Sequence, residues 1–228
     1  MIDHAHDLAS VRDATERLLT AAAKLDNAAI AEPSRLPGWT RGHVLAHLAR
    51  NADALVNVLE GRPMYASAEA RDADIERDAP RALDVQLADV RESAARFARA
   101  GEVPADWSRT VELRNGVTDS AARVPFRRWV EVELHHVDLG IGYELEDLPE
   151  EFTQREINFL AERFRGNPAV AAVMIVEDDG RNIPTGRREG DPVTVSGRQA
   201  DLLGWLCGRR DGSALTAAGG PLPTLPPL

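Results

Sequence analysis

Before residue 148, four stretches carry apolar side chains at close to the 3.6-residue spacing of an amphipathic helix, and this periodicity restricts the possible folds more than any other feature. The first covers about Ala5 to Leu25, with Leu8, Val11, Leu18, Ala22 and Leu25 on one face. A turn follows at Leu36-Pro37-Gly38-Trp39, after which Thr40 is placed to cap a second helix with the stripe Val44, Leu48, Asn51, Leu55 and Leu59. The third spans about residues 81–100 with Leu83, Leu87, Val90, Ala94 and Phe97. Pro125, at a first-turn position where its missing N–H costs nothing, opens a fourth that runs to about Gly140 or Gly142 with Phe126, Val130, Leu134, Val137 and Ile141. Each helix must bury one face against another, so the pattern predicts a four-helix bundle. Its long connections permit an order other than simple up-down. One of them, Ala68 to Asp78, alternates charges and reads as an exposed helical or irregular segment.

The pattern changes after Leu148-Pro149-Glu150-Glu151, which reads as a linker. Thr153 followed by Glu156 has the form of a capping box ahead of Ile157, Leu160 and Phe164, predicting a helix to about Gly166. Ala172-Val173-Met174-Ile175-Val176 reads as a buried strand ended by the turn Asp178-Asp179-Gly180. Pro192-Val193-Thr194-Val195 reads as another, and Ser196 with Gln199 as a second capping box before Leu202, Leu203, Trp205 and Leu206. Four prolines in the last eight residues argue against a structured terminus. The expected fold is mainly α: a helix-bundle domain over 1–148, a small α+β domain over 149–220 and a Pro-rich tail over 221–228.

Charge and cysteine content narrow the function classes. Twenty-seven Lys and Arg against 37 Asp and Glu give a formal charge of -10, the wrong sign for a phosphate backbone, so no nucleic acid partner is expected. No apolar run approaches the roughly 20 residues of a membrane span, and Met1-Ile2-Asp3-His4 lacks the form of a signal peptide; a cytoplasmic location without membrane association is expected. Cys207 is the lone cysteine, which excludes a multi-thiolate metal cage, and its place beside Trp205 and Leu206 reads as packing rather than redox chemistry. Oligomeric state is not legible.

One constellation carries chemistry. On the fourth helix Glu131, His135 and Asp138 lie along one flank, with Glu131 and His135 one turn apart, while His136 falls nearly opposite Glu131. On the second helix His47 sits at the edge of the apolar stripe, where it can face the bundle interior, and His43 lies further out. Two imidazoles and a carboxylate from facing helices are the ligand set of a catalytic zinc site with a fourth position open; non-haem iron or another divalent metal suits the same set. Asp138 is a candidate acceptor for the second ring nitrogen of His135. Taken singly, each of these histidines is more often a surface or hydrogen-bonded core residue than a ligand, and spacing alone does not decide. Trp39 reads as an anchor of its turn or a pocket wall, and Asp72, Asp74 and the neighbouring arginines as a solvated face.

The segment Leu36-Pro37-Gly38-Trp39-Thr40-Arg41-Gly42-His43-Val44-Leu45-Ala46-His47-Leu48-Ala49-Arg50-Asn51 resembles the second-helix signature of the mycothiol-dependent maleylpyruvate isomerase family, within the DinB-like metal-binding bundle superfamily. Glu131-Val132-Glu133-Leu134-His135-His136-Val137-Asp138-Leu139-Gly140 is similar to its second signature, and Pro63-Met64-Tyr65 with Ala70-Arg71-Asp72-Ala73-Asp74-Ile75-Glu76 also matches. The resemblance implies a zinc ion held by His47, Glu131 and His135, and mycothiol as thiol cosubstrate. Leu203-Gly204-Trp205-Leu206-Cys207-Gly208-Arg209 resembles a C-terminal segment whose arginine lies near the active site, which implies Arg209, with Arg210 its immediate neighbour. The implied reaction adds the metal-bound thiolate to the cis double bond of maleylpyruvate, rotates the resulting single bond and expels the thiol to leave fumarylpyruvate. Two alternatives stay open: a mycothiol S-transferase in which an electrophile remains attached to sulfur, and a non-catalytic metal- or small-molecule-binding module.

Overall fold

Asp3 opens the first helix by accepting from the His6 amide at 3.0 Å, and α1 runs over His4–Ala22. A short α2, Asn27–Ala31, follows, then α3, Arg41–Leu59. Thr40 caps α3 as expected, through a reciprocal box: its hydroxyl accepts from the His43 amide while the His43 ring accepts from the Thr40 amide. Ala68–Asp78 is a regular helix, α4, capped by Ser67, and leads to α5, Leu83–Glu102. Strands β1, Thr110–Glu112, and β2, Thr118–Ser120, form an antiparallel hairpin that hydrophobic periodicity did not reveal. Then α6, Val124–Asp138, begins with Pro125 in its first turn and stops before the expected Gly140, which takes a φ of 64°. The structure is a computed structural model that describes residues 2–103 and 106–227.

These elements belong to the first of two compact units, Met1–Tyr143 and Glu144–Leu228. Around the bundle the long helices follow one another as α1, α6, α3 and α5, so consecutive long helices α1 and α3 stand on a diagonal. That order requires the long connections seen in the sequence. The core is Leu18, Leu45, Leu48, Leu55, Phe97 and Val132 with their neighbours, each burial of a side chain of this size contributing about 1.5–3 kcal/mol. Gly42 lets α3 pass α4: a Cβ there would collide with the Ala79 carbonyl oxygen.

Between α3 and α6 lies a fully buried guanidinium. NH1 of Arg128 donates to the Leu48 carbonyl at 2.9 Å and to Asn51 Oδ1 at 2.8 Å, tying together the two helices that carry the expected ligands.

The second unit contains α7, Glu150–Phe164, and a four-stranded sheet. Its strands are β3, Val173–Val176, β4, Asn182–Thr185, β5, Val193–Ser196, and β6, Thr216–Ala218, in the order β4-β3-β5-β6. Only β3 and β5 are parallel. Helix α8, Gln199–Leu206, packs with α7. Both expected capping boxes in this unit fail. Helix α7 begins before Thr153, whose amide already donates to Pro149, because Pro149 and the acidic first-turn pair Glu150 and Glu151 set an earlier start. Ser196 is held extended in β5, and Arg198 precedes α8 instead. Strand β4 contains Pro184, tolerated because β4 is an edge. In the tail, the Pro223 carbonyl accepts from Trp205 Nε1 at 3.3 Å. Among the described residues no helix is long and apolar enough to cross a membrane.

Candidate metal centre

The neighbouring helices α3 and α6 bring His47, Glu131 and His135 together. One donor atom from each lies within 4.8 Å of the others, the carboxylate oxygen Oε2 of Glu131 standing 2.9 Å from His47 Nε2 and 3.2 Å from His135 Nε2. The two imidazoles meet nearly edge to face, with centroids 4.6 Å apart. Tetrahedral donors at zinc–ligand distances stand about 3.4 Å apart, so the spacing is close to what a single ion requires. His135 also has the orientation of a metal ligand: its Nδ1 lies 2.9 Å from Oδ2 of the buried Asp138, which fixes the ring and leaves Nε2 facing the cluster.

His47 is held differently. Its Nδ1 lies 3.3 Å from NH2 of Arg71, and a guanidinium is a donor only, so neutral His47 carries its proton on Nε2 and shares it with Glu131. To coordinate a metal through Nε2, His47 would have to carry its proton on Nδ1, which would remove the acceptor that Arg71 uses. Trp39 closes the other side, its ring centroid 5.5 Å from that of His47. Thus Trp39 both terminates its turn and walls the cluster.

Electrostatics follow from burial and pairing. Burial lowers the pKa of His47 to about 4, against a smaller upward pull from Glu131, so the ring is neutral at neutral pH. Burial alone would raise Glu131, but hydrogen bonds from His135 and His47 outweigh it and hold the carboxyl well below its usual range. For His135 burial lowers the pKa, and Asp138 with Glu131 overcomes this and raises it. A carboxylate and a neutral imidazole are donors that a divalent cation can use once the His47 ring proton sits on Nδ1.

The remaining sequence candidates fall elsewhere. His136 is buried on another side of α6, stacked on Tyr143 at 4.0 Å, and His43 caps its own helix. Cys207 is buried, as its position among packed residues implied. Arg209 belongs to the second unit, where NH1 donates to the Cys207 carbonyl at 3.0 Å and the side chain lines a cavity of about 570 Å³ between the end of α8 and the tail. Arg210 is committed to Asp201 at 2.6 Å and Glu146 at 2.7 Å. The reading of the Asp72 region as a solvated face misses Arg71. Its side chain is 12% exposed and turned to His47, on the helix face shared with buried Ile75 and Asp78.

A helix bundle with a two-histidine, one-carboxylate cluster, followed by a small α and β unit, defines a candidate metal-binding enzyme class. Residues 11–140 match the mycothiol maleylpyruvate isomerase N-terminal domain and residues 147–227 the C-terminal domain of the same family, and the chain belongs to that family. It is similar to the crystal structure of a mycothiol-dependent maleylpyruvate isomerase, with a TM-score of 0.89 and 28% sequence identity over 99% of this chain and 97% of the other. The crystal structure of a histidine-to-alanine mutant of such an isomerase matches to the same degree. A search of curated protein sequences finds no match.

Proposed function

We propose that this chain is a mycothiol-dependent isomerase that converts maleylpyruvate, or a closely similar cis-enedioyl acid, to its trans isomer. The observation that carries the reading is the convergence of His47, Glu131 and His135 inside a chain of this family. These three side chains would hold a divalent ion, zinc as the family resemblance implies, and bound there it would favour the thiolate form of a coordinating thiol at neutral pH.

The chain's own residues set up the rest. Asp138 keeps a proton on His135 Nδ1, and Trp39 shields the His47 ring from water. In the reaction the thiol sulfur adds to one alkene carbon, and the displaced electron pair moves onto the conjugated carbonyl. Rotation about the new single bond follows, and return of the electron pair expels the thiol unchanged. Negative charge on the dicarbonyl portion needs a fixed cation, the role we assign to Arg209, with Arg210 its immediate neighbour.

The test is to incubate zinc-reconstituted protein with maleylpyruvate and follow fumarylpyruvate formation with and without mycothiol. Thiol-dependent, substoichiometric turnover that disappears in His47→Ala supports the reading. Stable accumulation of an S-conjugate without isomer would replace it with group transfer, and absence of both would remove enzymatic thiol chemistry.

A further inference from the structure

Beside the cluster, within the first unit, stand Arg71, Tyr65 and the buried Arg128. Arg71 lies 3.3 Å from His47 Nδ1 and stacks its guanidinium 5.9 Å from the Tyr65 ring centroid. Its carboxylate partner, Asp72, is 61% exposed, so that pair is weak. The Tyr65 phenol sits in the combined field of Glu131, Arg71 and Arg114, and burial together with Glu131 raises its pKa, keeping it a protonated donor. Arg128 stands one turn before Glu131 on α6 and interacts electrostatically with Glu131, Tyr65 and Asp53. Burial lowers its pKa to about 10, so the charge persists at neutral pH.

Arg128 supplies a second, independent observation. The residue is 0% exposed, NH1 is satisfied by α3, and neither Nε nor NH2 has a hydrogen-bond partner among the described residues. An unsatisfied buried donor is costly and rare, and a guanidinium in that state marks a place where negative charge is wanted. Tyr65 also lines a cavity of about 530 Å³ with Arg62, Arg109 and Arg114, a volume typical of small-molecule sites.

We propose that Arg71 and Tyr65, backed by the buried charge of Arg128, form a carboxylate-binding subsite next to the metal cluster that takes one end of an unsaturated dicarboxylate. The inference rests on the isomerase reading for the identity of that dianion. Arg71 offers paired N–H donors and Tyr65 an O–H, so one carboxylate is gripped from two sides. Gripping one end would fix the double bond relative to His47, Glu131 and His135. It assigns a role to two residues that the metal chemistry leaves unused.

The experiment measures maleate binding by titration calorimetry to full-length protein stripped of metal, so that no ion can supply the affinity. Dimethyl maleate serves as the uncharged control. Maleate is expected to bind, dimethyl maleate to fail, and Arg71→Met to weaken maleate by about tenfold or more with unchanged circular dichroism. Arg71→Lys should recover part of the loss, because a point charge lacks the paired donors. Equal affinity of wild type and Arg71→Met, binding of the diester, or no maleate binding by wild type would each overturn the proposal. Its failure is separable from that of the isomerase reading. Arg71-dependent maleate binding without turnover sinks only the reaction, and thiol-dependent turnover with Arg71-independent binding sinks only the subsite.

Discussion

Nδ1 of His135 lies 2.9 Å from Oδ2 of Asp138, one turn further along α6, and the carboxylate is completely buried. An acceptor there fixes both the ring plane and the tautomer that leaves Nε2 free to coordinate. Asp138→Asn keeps the shape and removes the charge. It should lower divalent-metal affinity by about 10–100-fold, read by zinc competition against a chromogenic chelator. Wild-type affinity in Asp138→Asn would mean that packing alone orients His135.

Glu133, two residues after Glu131, faces away from the cluster and is buried. Its carboxylate accepts from Arg17 at 2.5 Å, Trp129 Nε1 at 3.0 Å and Tyr143 at 2.8 Å, pinning α6 to α1. Glu133→Gln leaves the half-exposed Arg17 without its countercharge and misplaces at least one buried donor, which should cost about 1–3 kcal/mol of unfolding free energy. Denaturant titration checks this, and a loss below about 1 kcal/mol would show that Arg17, half in solvent, finds equal company in water.

How much of this was legible in the sequence depended on whether a signal was local. Thr40 and the His135–Asp138 pair are read from neighbours three residues apart, and both form as expected. Glu131 and His135 share a helix flank by periodicity alone, while their meeting with His47 required knowing which helices adjoin, which family resemblance supplied. Local patterns also misled: Thr153 and Ser196 have cap-like spacing, but Pro149 and the β5 pairing override it. Arg128 was invisible, since nothing in its flanking residues announces a helix buried almost all round. Arg71 was hidden by its charged neighbours, although its spacing to Ile75 and Asp78 is that of one buried face.

Asp78 gives the first unit a pH dependence. Burial pushes its pKa up, but Arg77, Arg81 and Arg50 outweigh burial and hold it below the usual value. A folded-state pKa below the unfolded one means stabilisation that is fully present above the unfolded value of about 3.9 and lost as pH falls through the lower folded value. Asp78→Asn should therefore be less stable than wild type at about pH 6, with the gap closing at about pH 3. Urea midpoints at the two pH values test this; a gap that stays constant would assign the effect to shape rather than charge.

Arg209 and Arg210 should respond to substitution in opposite ways. Arg210 bridges Asp201 and Glu146, and its removal strands Asp201, whose lowered pKa reflects Arg198 and Arg210 prevailing over burial. Arg210→Ala should thus lower the unfolding midpoint of the protein while the folded fraction keeps its turnover. Arg209 donates through NH1 to the Cys207 carbonyl, and the role proposed for it is to meet negative charge that develops on the substrate. Arg209→Ala should leave zinc content and melting temperature near wild type and reduce kcat by about 10²–10³-fold, the loss seen when a donor to developing negative charge is removed. Parallel melting curves, metal analysis and initial rates separate the two. A turnover defect in Arg210→Ala with full activity in Arg209→Ala would move the catalytic cation by one residue.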